Sequence, residues 1–270
     1  MKPILLTWPD VAIASLLLLV DGALSIWLRL GLHRPLAIAA GRMVVQLIAV
    51  GLILRVVFAL ASPVATLAVV LVMTAVAARE VAARPEQRLV RFGNLAVGAS
   101  AVTFATFVTA ILALTTAIRP TPWYDPRYAI PLAGIVLGNV LNGASLALDG
   151  LLGGVVRERA AIEAQLALGA PYRQAMRGLV RASVRRALLP IVNTMSAAGV
   201  VTLPGIMTGQ ILAGMDPFEA AKYQILLIFL LAGGSGLASV SVVILAARRL
   251  TDDRQRLRLD RLETKRPGRG

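Results

Sequence analysis

Apolar stretches of about twenty residues, broken by short clusters of charge, run along nearly the whole chain. They predict about seven helices, near 8–30, 36–59, 62–78, 94–118, 128–148, 187–213 and 222–247. A helix of ~20 residues rising ~1.5 Å per residue crosses a hydrocarbon core ~30 Å thick. Ser62-Pro63 suits a tight connection between the second and third. The Ala, Leu and Val runs show no strict alternation, so helices are expected rather than a barrel. The expected fold is all-α: a polytopic transmembrane bundle forming one domain over 1–270, with a surface helix–turn–helix at about 155–186 and a basic tail at 248–270.

Composition strengthens this picture. Hydrophobic residues make up 57% and charged residues 16%, against about 45–50% and about 25% in soluble domains. The absence of cysteine rules out disulfides and thiolate sites, and a single histidine, His33, rules out multi-histidine centres. The net charge of +14 is informative through its placement. Twenty-two of the 28 Lys and Arg residues fall at 29–35, 79–92, 149–186 and from 248 onward. Lys2, Arg55, Arg119, Arg127 and Lys222 fall on the opposite side, and Arg42 lies within a span. The positive-inside rule then places the N-terminus outside and the C-terminus in the cytoplasm, as an odd number of spans requires. Charge spread over four flanks argues against nucleic acid as partner and for membrane lipid. The tail, with acids among its arginines, reads as a solvated or lipid-surface helix. Lys2 alone precedes the first span and Asp21 interrupts it, so a retained span is expected rather than a cleaved signal.

The longest charged loop is itself patterned. Val155–Leu168 reads as a helix, Gly169 can cap it and Pro171 can open the next. There Met176, Val180, Val184 and Leu188 recur every four residues, beside a ridge of Arg173, Arg177, Arg181 and Arg185. Such an amphipathic pair either rests on lipid headgroups or docks a cytoplasmic partner.

The run Glu163-Ala164-Gln165-Leu166-Ala167-Leu168-Gly169-Ala170 resembles the coupling loop by which ABC-transporter permeases engage their ATPases. Three further stretches extend the likeness: Pro122-Trp123-Tyr124-Asp125-Pro126-Arg127-Tyr128, Ile130-Pro131-Leu132 through Gly138-Asn139, and Leu203-Pro204-Gly205-Ile206-Met207-Thr208-Gly209-Gln210 with Asp216-Pro217. Together they are similar to the FetB-type permeases, membrane subunits of iron-export ABC transporters related to plant aluminium-tolerance permeases. Ile206 stands where that pattern leads one to expect Met. The resemblance implies a permease homodimer in the cytoplasmic (inner) membrane, bound to two copies of a soluble ABC ATPase. Glu163, Ala164, Gly169, Arg173 and Arg177 would couple the two, and iron or another metal ion would be the substrate. The chain itself lacks a Walker A loop: Lys2, Lys222 and Lys265 follow Met1, Ala221 and Thr264, not glycine. No cofactor is therefore expected on this chain, and ATP with Mg²⁺ would sit on the partner.

Ionisable and amide groups inside spans are functional candidates. Asp21, Arg42 and Gln46 fall at similar depth, and their network either fixes the first hairpin or lies on a transport path. Asn139, Asn142, Ser145 and Asp149 form a polar stripe, either interhelical contact or pathway wall. Asn193 precedes a break at Pro204-Gly205, beside Met207, Thr208 and Gln210; broken helices recur at midplane binding sites, and proline kinks also occur without a ligand. These residues offer mainly oxygen donors and assign no metal ligands. Two other classes compete with a permease. Gly233-Gly234-Ser235-Gly236 matches an intramembrane serine protease signature, but His33 lies about 15 Å away in depth, so the glycines read better as close helix packing. A scaffold or receptor without transport is the other reading.

Overall fold

A computed structural model describes residues 7–60 and 62–264. Ten α-helices account for most of them: α1 (Trp8–Trp27), α2 (His33–Leu60), α3 (Pro63–Ala83), α4 (Gly93–Leu112), α5 (Pro126–Arg157), α6 (Arg159–Ala167), α7 (Tyr172–Ala175), α8 (Arg177–Ala197), α9 (Gly205–Leu212) and α10 (Pro217–Arg249). The polytopic all-α expectation is met. Local chemistry sets many of the starts. Pro63, Pro126 and Pro217 open α3, α5 and α10, where a missing N–H is harmless. Asp125 accepts from the Arg127 amide at 2.9 Å, and Asp216 from those of Phe218 and Glu219 at 2.9 and 3.2 Å.

Helices α5 and α10 form the centre, with α3, α4 and α8 packed around them. Val136, Val140, Ala144, Leu148 and Leu151 of α5 meet Val242, Val243 and Ala246 of α10 in one fully buried cluster. Small residues allow the close approach. A Cβ on Gly143 would sit 3.0 Å from Ser239 Oγ, and one on Gly234 would sit 3.1 Å from Thr109 Oγ1. Ser235 is buried against Gly143 in this seam, so the Gly-Gly-Ser-Gly run supplies helix packing. In contrast, α1 and α2 lie at the edge, with few buried residues.

Six helices are long and apolar enough to cross a membrane: α1–α5 and α10, with the α4 span reaching Thr116. The span expected at 187–213 is not one helix. Its first part belongs to α8, which begins at Arg177 and carries Arg177, Arg181, Arg185 and Arg186. The chain then leaves helical geometry from Ala198 to Pro204 before α9. The basic second helix of the surface pair and the start of the sixth span are thus a single rod, because nothing between Arg186 and Ala187 breaks a helix.

The tail differs from its expectation too. Leu262–Thr264 (β2) pairs antiparallel with Gln87–Leu89 (β1), in the loop between α3 and α4. Asp252 accepts from the Arg254 and Arg256 amides at 3.0 Å each, turning the chain away from α10. Leu257, Leu259 and Leu262 then pack on the core. The remaining tail, with Lys265, Arg266 and Arg269, lies outside the described residues, as does Lys2.

Candidate functional site

The surface pair is built from a sharp corner. α5 continues through Val155 to Arg157, so the first surface helix is the shorter α6. It ends in a Schellman motif: the Gly169 amide donates to Leu166 O at 3.0 Å and the Ala170 amide to Gln165 O at 3.0 Å. Gly169 has φ +89°, the left-handed geometry for which glycine is suited, and its Cα faces open space. Pro171 caps α7, as the sequence suggests. Glu163 forms an exposed pair with Arg159 at 2.9 Å. Ala164 is exposed, and Leu168 at the corner is 88% exposed. Arg173 and Arg177 are exposed as well. The apolar ridge of Met176, Val180, Val184 and Leu188 faces inward, with Leu179, Ser183, Ala187 and Ile191 buried beside it.

Sequence reasoning missed what anchors this corner. Tyr172 is buried, and its hydroxyl donates to Ala247 O in the last turn of α10 at 2.9 Å. Its amide donates to Gln255 Oε1 of the tail at 2.7 Å. Burial raises the phenol well above its usual pKa, so it remains a donor. The corner, the end of α10 and the tail are therefore one connected unit.

The depth of the helix break follows from packing register. Gly150 of α5 lies against Ser183 of α8, and Gly154 against Leu179, so the two helices run antiparallel residue for residue. Carried up α8, the register sets Ala197 opposite Val136, about 15 Å below the Pro126 end of α5. The break at Ala198–Pro204 therefore begins about a third of the way along the 32-residue α5 from its Pro126 end. Gly199 turns there with φ +84°, and its amide donates to Thr202 O at 2.9 Å. Pro204 is the N-cap of α9, so the break starts before the expected Pro204-Gly205 step. On α9, Met207 is half-buried and Thr208 donates to Pro204 O at 3.2 Å. Gln210 holds a buried Oε1 without a partner among the described residues. Asn193 is exposed on α8 near the level of α5's asparagines.

The other polar residues gather on an open face of α2, α3 and α5. Arg42 pairs with Glu80 at 3.5 Å, not with Asp21. Asp21 and Gln46 are exposed and, among the described residues, share no bond with Arg42. Arg84 Nη1 donates to Asn142 Oδ1 at 3.0 Å, while the Glu86 amide donates to Asp149 at 3.3 Å. Asn139 donates to Ile135 O in its own helix at 3.2 Å. The expected stripe thus contacts α3 along part of its length and leaves Asn139 half-exposed. Glu80 falls just past the span expected at 62–78 and so is absent from the sequence-based candidates. Yet Ala77-Ala78-Arg79-Glu80-Val81-Ala82-Ala83 contains no breaker, and α3 runs on to Ala83. No group of three His, Cys, Asp or Glu side chains converges among the described residues.

These features define a multi-pass helical membrane protein with an anchored surface corner and a helical segment interrupted at Ala198–Pro204. Residues 8–251 match the model of the uncharacterised protein family UPF0014, and the chain belongs to that family. It is 39% identical to a UPF0014 membrane protein of Synechocystis sp., over 93% of this chain and 96% of that protein. It is 32% identical to the "Probable iron export permease protein FetB" of Escherichia coli, over 96% of this chain and 98% of that one. The Arabidopsis thaliana "Protein ALUMINUM SENSITIVE 3" shares 29% identity over 86% of this chain and 82% of its own. No solved structure matches the chain.

Proposed function

We propose that this chain is the membrane-spanning permease subunit of an ABC transporter, moving iron or another metal ion with ATP hydrolysed by a separate subunit. The observation that carries the reading is the corner at α6–α7, a capped, exposed turn locked to the transmembrane core through Tyr172. Full-length similarity to a protein named as an iron export permease supports the substrate class. Two copies of a soluble ABC ATPase would bind a permease homodimer in the cytoplasmic membrane. The N-terminus would lie outside and the tail inside.

Mechanically, the corner has a direct route inward. α8 is one helix from Arg177, beside the corner, to Ala197 at the break. Closure of the ATPase against α6 would tilt α8 as a rigid body and move the Ala198–Pro204 turn against α10. Tyr172 would carry the same displacement to α10 and the tail. Glu80, Asn139 and Asn142 lie on the open face at comparable depth and offer oxygen donors that suit a hard or borderline metal ion in transit. Loose coordination suits a carrier that must release its cargo. A second copy of the chain would cover this face and the largely exposed α1 and α2.

Co-purification with a soluble Walker A ATPase tests the reading. Glu163→Lys or Gly169→Asp should release the ATPase while the folded permease remains in the membrane. Unchanged association and ATP-dependent transport would remove α6–α7 as the coupling element. An intact ATPase complex indifferent to metal ions would point to another substrate.

A further inference from the structure

At the ends of α4 and α10 the tail encloses a cavity of about 620 Å³. Four arginines from three separate segments line it: Arg91 before α4, Arg249 at the end of α10, and Arg258 and Arg261 from the tail. The lining holds one carboxylate, Asp260, and Arg258 already takes both of its oxygens at 2.8 Å. Arg261 Nη1 is fixed by the carbonyls of Arg249 and Thr251 at 2.8 and 3.1 Å. Among the described residues, the guanidiniums of Arg91 and Arg249 have no acceptor. The pocket therefore carries an excess of three positive charges and two unsatisfied planar donors.

The location narrows what could fill it. α4 begins at Gly93 and α10 ends at Arg249, so the pocket sits where two membrane-spanning helices leave the bilayer. Arg91 and Phe92 are consecutive left-handed residues, with φ of 53° and 58°. Non-glycine residues adopt that geometry only against a steric penalty. The result aims Arg91 into the pocket wall and leaves Phe92 84% exposed beside it. An aromatic ring next to paired guanidiniums at headgroup depth matches an interface that holds a phosphate and an acyl chain together. The β1–β2 pairing holds the tail in place, so this is a formed pocket and not a loose cluster of surface charge.

We propose that this pocket binds a phosphate-bearing anion, with the headgroup of an anionic phospholipid as its occupant at the membrane. Arg91 and Arg249 would grip the phosphate oxygens, and Arg258 and Arg261 would supply the surrounding field. Guanidinium pairs suit this task because their donors form a planar fork.

The test uses the full chain in nanodiscs of phosphatidylglycerol mixed with phosphatidylcholine, with retained lipid counted by native mass spectrometry. The wild type should keep phosphatidylglycerol selectively. Arg91→Ala/Arg249→Ala should weaken that retention about 30-fold, roughly fivefold per guanidinium. Arg181→Ala/Arg185→Ala, which removes the same charge elsewhere, should leave selective retention in place. A second arm adds inorganic phosphate in detergent and follows thermal unfolding. Stabilisation of the wild type but not of Arg91→Ala/Arg249→Ala, without lipid selectivity, would assign the site to a free phosphate. If neither phosphatidylglycerol nor phosphate separates the wild type from that variant, with helical circular dichroism unchanged, the proposal is wrong.

Discussion

The register between α5 and α8 fixes the depth of the helix break, and one substitution tests it. Gly154 lies against Leu179, and an added Cβ would collide with Leu179 Cδ1. Carbon contacts are favourable near ~3.5–4.0 Å, so Gly154→Ala forces a buried leucine to move. Overpacking of this kind costs ~1–3 kcal/mol. Alanine also improves helix propensity by ~1 kcal/mol, which would hide part of the effect. Gly153→Ala removes that ambiguity, because it sits in the same turn and its Cβ would meet only Arg157 Nη1 at 3.4 Å. The difference between the variants then isolates the clash at ~1–3 kcal/mol. At ~2–4 °C per kcal/mol, Gly154→Ala should unfold about 2–12 °C below Gly153→Ala in detergent. Combining Gly154→Ala with Leu179→Ala should return ~1 kcal/mol or more relative to the sum of the single changes. Equal midpoints for the two glycine variants, or strict additivity with Leu179→Ala, would refute the register and the depth drawn from it.

Other expectations follow from single contacts. Tyr172→Phe should lower stability by ~1 kcal/mol and increase hydrogen exchange across α6–α7, whereas unchanged exchange would mean the corner is held otherwise. Glu80→Arg should lower the unfolding midpoint, and adding Arg42→Glu should restore part of the loss if the 3.5 Å pair forms in the membrane. Asp252 sits well below its ordinary 3.8, at about 2, because the Arg256 amide and guanidinium and the Arg254 amide bond its charged form. A depressed carboxylate stabilises the turn fully above 3.8 and loses that contribution as pH falls through about 2. Pepsin cleavage within 250–264 should therefore rise between those values, with Asp252→Asn already susceptible at the upper end.

Features encoded locally were legible in the sequence, and those that depend on distant partners were not. Gly169 and Pro171 announce the corner because a left-handed cap and a helix-opening ring each require a particular residue. The long apolar runs announce the spans because lipid demands continuous apolar helices. Their ends misled, since Glu80 and Arg177–Arg186 lie within helices: a charge does not stop a helix, and long side chains reach polar partners. The pairing of Arg42 with Glu80 depends on how α2 leans on α3, which no periodicity reports. Likewise β2 finds its partner strand far away in sequence, and a three-residue strand leaves almost no pattern.

The chain has no cysteine, so a single introduced thiol reports one position alone. Leu168, 88% exposed at the corner, is the best site for it. The central claim is that this corner seats a separate ATPase. Leu168→Cys should therefore crosslink to that subunit in native membranes, and Gly169→Asp in the same chain should abolish the product. A Leu168→Cys chain that labels fully with maleimide yet never crosslinks to the ATPase, while transport continues, would contradict it.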